Sequence, residues 1–240
     1  MDGYFEAFAN AIAWRKSKED NMRIHRISMI VQQDLRGQTF LAGSQRKHTS
    51  IMGSDIDLCV TTPEPVTTTQ RKALARRLET EFGWPAQPGA HVVRVTPATG
   101  EPHIDIAFAN ATFGSRPLPD PAPFRIPRRQ HAARVLKWWL REKRLPHVGG
   151  WAVEAVVLRL DQKGETGAQL FLRILAWLDK SANPSAVESI LRPAAHPRWP
   201  SAWSRGVPSR LEAIRNAARH QLKLPREWKS QSDVRRWLVS

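Results

Sequence analysis

The spacing of apolar residues predicts that helices open the chain and make up most of its C-terminal half. Apolar positions recur at intervals of three and four in residues 3–16 and 18–36, which is typical of amphipathic helices. Residues 67–82 repeat this spacing, with threonines that can cap the helix at its start and Gly83 to end it. Further helical patterns cover residues 128–145, 151–160, 166–180, 209–222 and 231–239.

Three shorter stretches have the two-residue period of β-strands. The clearest runs from Asp55 to Val60, where every second residue is apolar, and the others cover residues 91–96 and 103–108. Five prolines in residues 114–127 then interrupt regular structure. The pattern therefore predicts a mixed α and β N-terminal half, a connector and a helical C-terminal half.

The strand pattern places two carboxylates, Asp55 and Asp57, on one face of the same strand. Neighbouring carboxylates repel each other, and a hard divalent cation that takes oxygen ligands removes that conflict. Gly43 and Ser44, just upstream, offer a close backbone approach, N–H groups and a hydroxyl to a phosphate. These residues favour a metal–nucleotide site, and the alternative is a half-buried edge strand with a polar face.

The same residues carry a resemblance to a known family. Gly43-Ser44, ten intervening residues and then Asp55-Ile-Asp57-Leu resemble the signature of the DNA polymerase β-like nucleotidyltransferase superfamily. With Thr49 and Ser54 included, the segment is similar to the branch of 2′-5′-oligoadenylate synthetases, bacterial cGAS/DncV-like nucleotidyltransferases and archaeal-type CCA-adding enzymes. That branch usually has Gly before the loop threonine, where this chain has His48.

Asp105 is the candidate for a third carboxylate. It lies among apolar residues in the strand pattern 103–108, where it is either a polar residue at a strand end or a further ligand of a two-metal site. The superfamily has its third carboxylate on such a strand, so the resemblance assigns that role to Asp105 and makes Glu101 the weaker substitute. The resemblance also covers Leu136-Lys137-Trp-Trp and the helix that contains Glu154. It implies that Lys137 reaches the triphosphate, whereas its local pattern equally fits a surface lysine beside buried tryptophans.

The fold implied by these patterns and by the resemblance is α+β in two lobes separated by a cleft. Residues 1–124 would form a nucleotidyltransferase lobe around a small mixed sheet, with an N-terminal bracing helix, and residues 125–240 a basic helical lobe. Asp55, Asp57 and Asp105 would be the catalytic metal ligands for Mg²⁺ or Mn²⁺. The nucleotide-binding residues would be Gly43, Ser44, Thr49 and Lys137.

Charge adds a second signal. The chain of 240 residues has a formal net charge of +15, and 23 of its 37 Lys and Arg residues, but only 9 of its 22 Asp and Glu residues, lie in 125–240. Such an excess predicts contact with a polyanion such as RNA, although a triphosphate or an ordinary basic surface is the simpler alternative. One cysteine, Cys59, and no apolar run of membrane-spanning length indicate a cytoplasmic protein without membrane contact. The sequence indicates no oligomeric state.

The sequence thus predicts a metal-dependent enzyme that moves a nucleoside monophosphate from a nucleoside triphosphate to a hydroxyl and releases pyrophosphate. The basic C-terminal half favours an RNA or other nucleic-acid 3′ end as the acceptor. The helical-lobe resemblance favours instead the synthesis of linear or cyclic oligonucleotide messengers. A nucleic-acid-binding protein with a vestigial site, and nucleotidylation of a protein or small molecule, are the further alternatives.

Overall fold

The computed structural model describes residues 2–89, 92–97, 101–109, 121–145, 150–181 and 207–240. They fall into two compact units. We call Trp14–Ala122 the sheet unit, and Met1–Ala13 with Pro123–Ser240 the helical unit. The first seven residues of the predicted proline-rich connector (114–127) and residues 182–206 lie outside the described residues.

The sheet unit combines helices with a five-stranded mixed sheet, and this confirms the predicted α+β fold class. Along the chain its elements are α2 (Lys18–Leu35), β1 (Gln38–Leu41), α3 (Gly43–Arg46), β2 (Ile56–Thr61), α4 (Thr68–Phe82), β3 (Ala86–Pro88), β4 (Val92–Val95) and β5 (Ile104–Ala109). The strand order is β1-β2-β5-β4-β3, in which only the central pair, β2 and β5, is parallel.

The two long helices of the sheet unit begin where their sequence provides caps. Ser17 and Asp20 form a reciprocal capping box at the start of α2, and Thr67 and Gln70 form another at the start of α4. Helix α4 ends at Gly83, which adopts a left-handed conformation as predicted. These caps satisfy N–H groups that the first turn of a helix leaves without partners.

The apolar sides of α2 and α4 pack with one face of the sheet in a single buried cluster. The strand residues in that cluster are Ile56, Leu58, Val60, Ala86, Val93, Val95, Ile104 and Ile106. Because side chains alternate along a strand, residues between these apolar positions face the opposite side of the sheet. The hydrophobic pattern of β2 and β5 therefore fixes which face Asp57 and Asp105 occupy.

In its described part the helical unit consists of α-helices, together with most of a short 3-10 turn, Ala122–Phe124, that begins at the last residue of the sheet unit. Its helices are α1 (Asp2–Ala11), α5 (Pro127–Glu142), α6 (Gly150–Leu160), α7 (Gly167–Ser181), α8 (Val207–Lys223) and α9 (Gln231–Val239). Buried Gln221 joins two of the tryptophans, because its side-chain oxygen accepts from Trp139 Nε1 at 3.1 Å and its amide donates to the Trp237 carbonyl. None of the described helices is both long and apolar enough to cross a bilayer.

Helix α1 belongs to the helical unit, whereas the sequence pattern assigns residues 1–124 to one lobe. The physical reason is aromatic packing. Phe8 lies edge-on to Trp138 with ring centroids 5.0 Å apart, and Phe5 packs against Phe171 and Trp228. The structure therefore divides the chain near residues 13 and 122, and α1 is a packed part of the helical core.

Candidate active site

Three charged side chains form a row across adjacent strands on the sheet face opposite the helices. Asp57 of β2 is the register partner of Asp105 on the parallel strand β5. Asp105 is in turn the register partner of Arg94 on the antiparallel strand β4. Directly opposed residues of neighbouring strands point to the same face, about 5 Å apart. The structure thus brings together the two aspartates that the sequence placed on separate strands, and we call Asp57, Asp105 and Arg94 the charged row.

Asp55 lies one residue before β2 and is exposed, while Asp57 is half-buried. A side chain that the sequence analysis missed, Gln45, fixes the backbone around both. Its amide donates to the Asp55 carbonyl, and its side-chain oxygen accepts from the Asp57 backbone N–H at 3.3 Å. Gln45 is buried. It therefore holds the loop of residues 43–54 to the start of β2.

Gly43 makes the closest backbone approach to the charged row. It has a φ of 54°, and a Cβ added there would lie 2.7 Å from Cγ of Asp57 and overlap its carboxylate. The N–H of Ala42 donates to the carbonyl of Asp57 at 2.8 Å. This hydrogen bond holds the backbone just before Gly43 against β2. Glycine adopts this left-handed conformation readily, and it has no Cβ that would overlap the carboxylate.

In the rest of the predicted nucleotide loop, a backbone hydrogen bond joins Thr49 to Ser44. Thr49 is fully buried, and its backbone N–H donates to the carbonyl of Ser44 at 2.9 Å. Ser44 is half-buried at the start of the loop. His48 has a φ of 56°, in the left-handed region that glycine adopts without strain. A histidine thus occupies a backbone conformation that favours glycine, and this costs about 1 kcal/mol of stability.

Arg94 engages both oxygens of Asp105. Its Nε donates to Oδ1 at 2.7 Å and its Nη2 donates to Oδ2 at 2.6 Å, which is a bidentate fork. This hydrogen bonding and the charge of Asp105 raise the pKa of Arg94 above its ordinary value, and the charges of Asp55 and Asp57 raise it further. Arg94 therefore lies within the field of all three aspartates. Glu101, the weaker candidate for the third carboxylate, is instead paired with Arg23 at 2.6 Å.

The donor chemistry of the site fits a hard divalent cation. Asp57 and Asp105 are adjacent carboxylates on one face, and Asp55 is close enough to act on the same guanidinium. Among the described residues, no three His, Cys, Asp or Glu side chains are already arranged as a metal-binding group. The fork from Arg94 occupies both oxygens of Asp105.

Residues 24–88 match the family model of the nucleotidyltransferase domain. This stretch extends from α2 to β3 and includes the Gly43-Ser44 loop, Asp55 and Asp57. Residues 24–88 of the sheet unit are thus similar to a nucleotidyltransferase domain, and this confirms the predicted resemblance to the DNA polymerase β-like nucleotidyltransferase superfamily. No curated protein sequence matches the chain.

Solved nucleotidyltransferase structures share the fold at low sequence identity. Cid1 poly(U) polymerase with Mg 3′-dATP bound has a TM-score of 0.74 and 13% identity, covering 100% of this chain and 98% of that one. CdnC in the E. coli CdnC:HORMA-deltaN complex has a TM-score of 0.62 and 15% identity, covering 100% and 97%. The polymerase core of TRAMP, an RNA surveillance complex, has a TM-score of 0.57 and 18% identity, covering 75% and 65%.

Two further residues named in the sequence analysis lie in regular structure. Cys59, on β2, is buried. Lys137, on α5 of the helical unit, forms an ion pair with Glu154 of α6 at 3.0 Å. The two side chains are only 11% and 5% exposed, so this ion pair is internal to the helical unit. The role of Lys137 at the triphosphate stays a prediction.

Sequence reasoning missed Gln45 and Arg94. No local pattern marks Gln45, since its function depends on a fold of the loop that returns it to β2. Arg94 was visible as the one charged residue of the strand pattern 91–96. Its partner could be found only from the pairing of β4 with β5, which places it opposite Asp105.

Proposed function

We propose that this nucleotidyltransferase transfers a nucleoside monophosphate from a nucleoside triphosphate to the 3′ hydroxyl of an RNA and releases pyrophosphate. The observation that supports this most directly is the pairing of Asp57 with Asp105 on one sheet face, beside the backbone of Gly43. Two adjacent carboxylates next to a phosphate-accessible backbone match the needs of phosphoryl transfer. Asp55 adds a third carboxylate at the same strand.

In this proposal Asp55, Asp57 and Asp105 bind the divalent cations, Mg²⁺ or Mn²⁺. When bound, such cations supply positive charge to the triphosphate and favour ionisation of the attacking hydroxyl. Asp105 accepts the proton of the acceptor hydroxyl, whose oxygen forms a bond to the α-phosphorus. The bond between the α-phosphorus and the bridging oxygen then breaks, and the electron pair leaves with pyrophosphate. Gly43, which has no side chain, lets the triphosphate approach the loop backbone beside Asp57.

An RNA acceptor is supported by the charge of the helical unit and by a pocket within it. The pocket has a volume of about 420 Å³ and is formed by the end of α6 and by α7. We call it the Trp177 pocket, and its lining residues are Arg159, Leu160, Asp161, Gln162, Arg173, Ala176, Trp177 and Lys180. Three cations around an aromatic ring can bind phosphates and stack on a base. Three similar structures carry names that refer to RNA or poly(U).

Synthesis of oligonucleotide messengers is the second candidate. The observation that favours it is the full-length structural similarity to CdnC, which the sequence resemblance to cGAS-like enzymes anticipates. The two candidates share the same transfer chemistry and differ in the acceptor. An RNA-tailing enzyme needs a surface that binds a long polyanion, whereas a messenger synthase uses a second nucleotide as acceptor.

Charge reversal at the rim of the Trp177 pocket tests the acceptor. We expect Arg159→Glu with Lys180→Glu to raise the KM for RNA about tenfold near physiological salt, because two phosphate contacts are lost, and to leave the KM for the nucleoside triphosphate unchanged. Both residues are exposed, so the fold should not change. Transfer of α-³²P label from each nucleoside triphosphate to RNA and to small products gives both constants.

The matched control is Arg235→Glu, a reversal at an exposed arginine of α9 outside the Trp177 pocket. It should change the KM for RNA less than twofold. If Arg235→Glu raised the KM for RNA as much as the double substitution does, net charge alone would account for RNA binding. Label appearing only in small, phosphatase-resistant products, with or without RNA, would contradict the RNA acceptor and support the messenger synthase.

A further inference from the structure

Arg94 places a positive charge beside the carboxylates that are proposed to bind a divalent cation. The guanidinium is held by two hydrogen bonds of 2.6 and 2.7 Å to the carboxylate that is expected to bind a divalent cation. It lies on the same sheet face, directly opposite Asp105 in the β4–β5 register. Arg94 differs from the arginine of an ordinary surface ion pair, because its partner Asp105 is one of the proposed cation ligands.

The position of Arg94 has two consequences for a divalent cation. The cation must share or displace the oxygens of Asp105, and it must approach an arginine whose charge is permanent. Because the Arg94 side chain is 48% exposed, solvent screens the repulsion without abolishing it. Arg94 also compensates the mutual repulsion of Asp55, Asp57 and Asp105 when the cation is absent.

We propose that Arg94 opposes the binding of a bare divalent cation at Asp57 and Asp105, so that the cation binds more tightly together with a triphosphate than alone. The triphosphate supplies negative charge next to the guanidinium, and this charge offsets its repulsion of the cation. Arg94 is thus a specificity-determining residue that selects the cation–nucleotide complex over the free cation. The inference rests on the proposed function, because it requires a cation at the aspartates.

The test is a titration with Mn²⁺ alone, in which the unbound ion is measured by electron paramagnetic resonance. Arg94→Gln removes the charge and should bind Mn²⁺ about fivefold more tightly than the wild type, the size of a screened interaction between a single and a double charge. Arg94→Lys keeps the charge and loses the fork, and its Mn²⁺ affinity should stay within about twofold of the wild type. Circular dichroism of each variant verifies that the sheet unit is folded.

Arg77 offers a matched control in the same unit. It forms an ion pair with Asp34, and the exposed fractions of its two side chains, 44% and 24%, resemble the 48% and 19% of Arg94 and Asp105. Arg77→Gln should leave Mn²⁺ affinity unchanged. An equal tightening in Arg77→Gln and Arg94→Gln would show an effect of net charge and would overturn the inference.

The titration also separates this inference from the proposed function. If Asp57→Asn abolishes Mn²⁺ binding while Arg94→Gln binds as the wild type does, the cation site stands and the role of Arg94 is wrong. If Arg94→Lys tightens binding as much as Arg94→Gln, charge is not the cause and the inference fails. If Asp57→Asn binds Mn²⁺ as well as the wild type does, both the cation site and the role of Arg94 are overturned.

Discussion

Asp57→Asn is expected to lower nucleotidyl transfer about a thousandfold or more. The substitution keeps the size of the side chain and removes the charge at the centre of the charged row, where Asp57 lies beside both Asp105 and Gly43. A loss of this size corresponds to about 4 kcal/mol of transition-state stabilisation, which is typical of removing a principal electrostatic group. The measurement is the initial rate of transfer of α-³²P label from nucleoside triphosphate to product, with Mg²⁺ in excess.

We expect the fold to tolerate this substitution, because asparagine has the size of aspartate and keeps the backbone hydrogen bonds of Asp57. Its carbonyl accepts from Ala42 and its N–H donates to Gln45, and an asparagine keeps both. Asp34→Asn is the control, since it neutralises an aspartate of α2 that pairs with Arg77. We expect the control to retain at least half of the activity. Activity of Asp57→Asn within tenfold of the wild type would show that the chemistry does not occur at this carboxylate.

Gly43→Ala is the second substitution for which we expect a large effect, a loss of about a hundredfold in transfer. The added Cβ would overlap the carboxylate of Asp57, so either the loop or the carboxylate must move. A displacement of a catalytic group by about 1 Å commonly costs a factor of this size. The rate assay for Asp57→Asn measures the effect, and thermal unfolding measures how much stability is lost.

Gly83 is the control for Gly43→Ala, because a methyl group at Gly83 causes backbone strain without a steric overlap. It also has a left-handed backbone, with a φ of 67°, but a Cβ there meets no atom within 4 Å. Gly83→Ala should therefore lose only about 1 kcal/mol of stability from backbone strain and keep its transfer rate. If Gly43→Ala loses no more activity than Gly83→Ala, the close approach of the loop to Asp57 has no catalytic importance.

The sequence predicted the parts of the site that depend on local spacing. Gly43, Asp55 and Asp57 lie within fifteen positions of each other, and the alternation around Asp57 determines the face of its strand. The pairing of β2 with β5 places Asp105 beside Asp57. The catalytic role that the superfamily resemblance implies for Asp105 stays a prediction.

The features that the sequence did not reveal depend on contacts between distant positions. The fork of Arg94 on Asp105 requires the β4–β5 register, and the place of α1 requires the packing of Phe5 and Phe8 with aromatic residues more than a hundred positions away. An amphipathic pattern shows that a helix has a side to bury, but it does not identify the partner. For this reason the helical content was predictable and the membership of α1 in the helical unit was not.

The most direct test of the account follows two labels of the same nucleoside triphosphate through one reaction of the wild-type protein with Mg²⁺ and RNA. We expect label at the α-phosphate to enter the product and label at the γ-phosphate to leave as pyrophosphate, in equal amounts, because the bond that breaks is the one between the α- and β-phosphates. Label from the γ-phosphate in the product or in orthophosphate would show a different phosphoryl transfer. That result, or no turnover of any nucleoside triphosphate, would contradict nucleotidyl transfer by this protein.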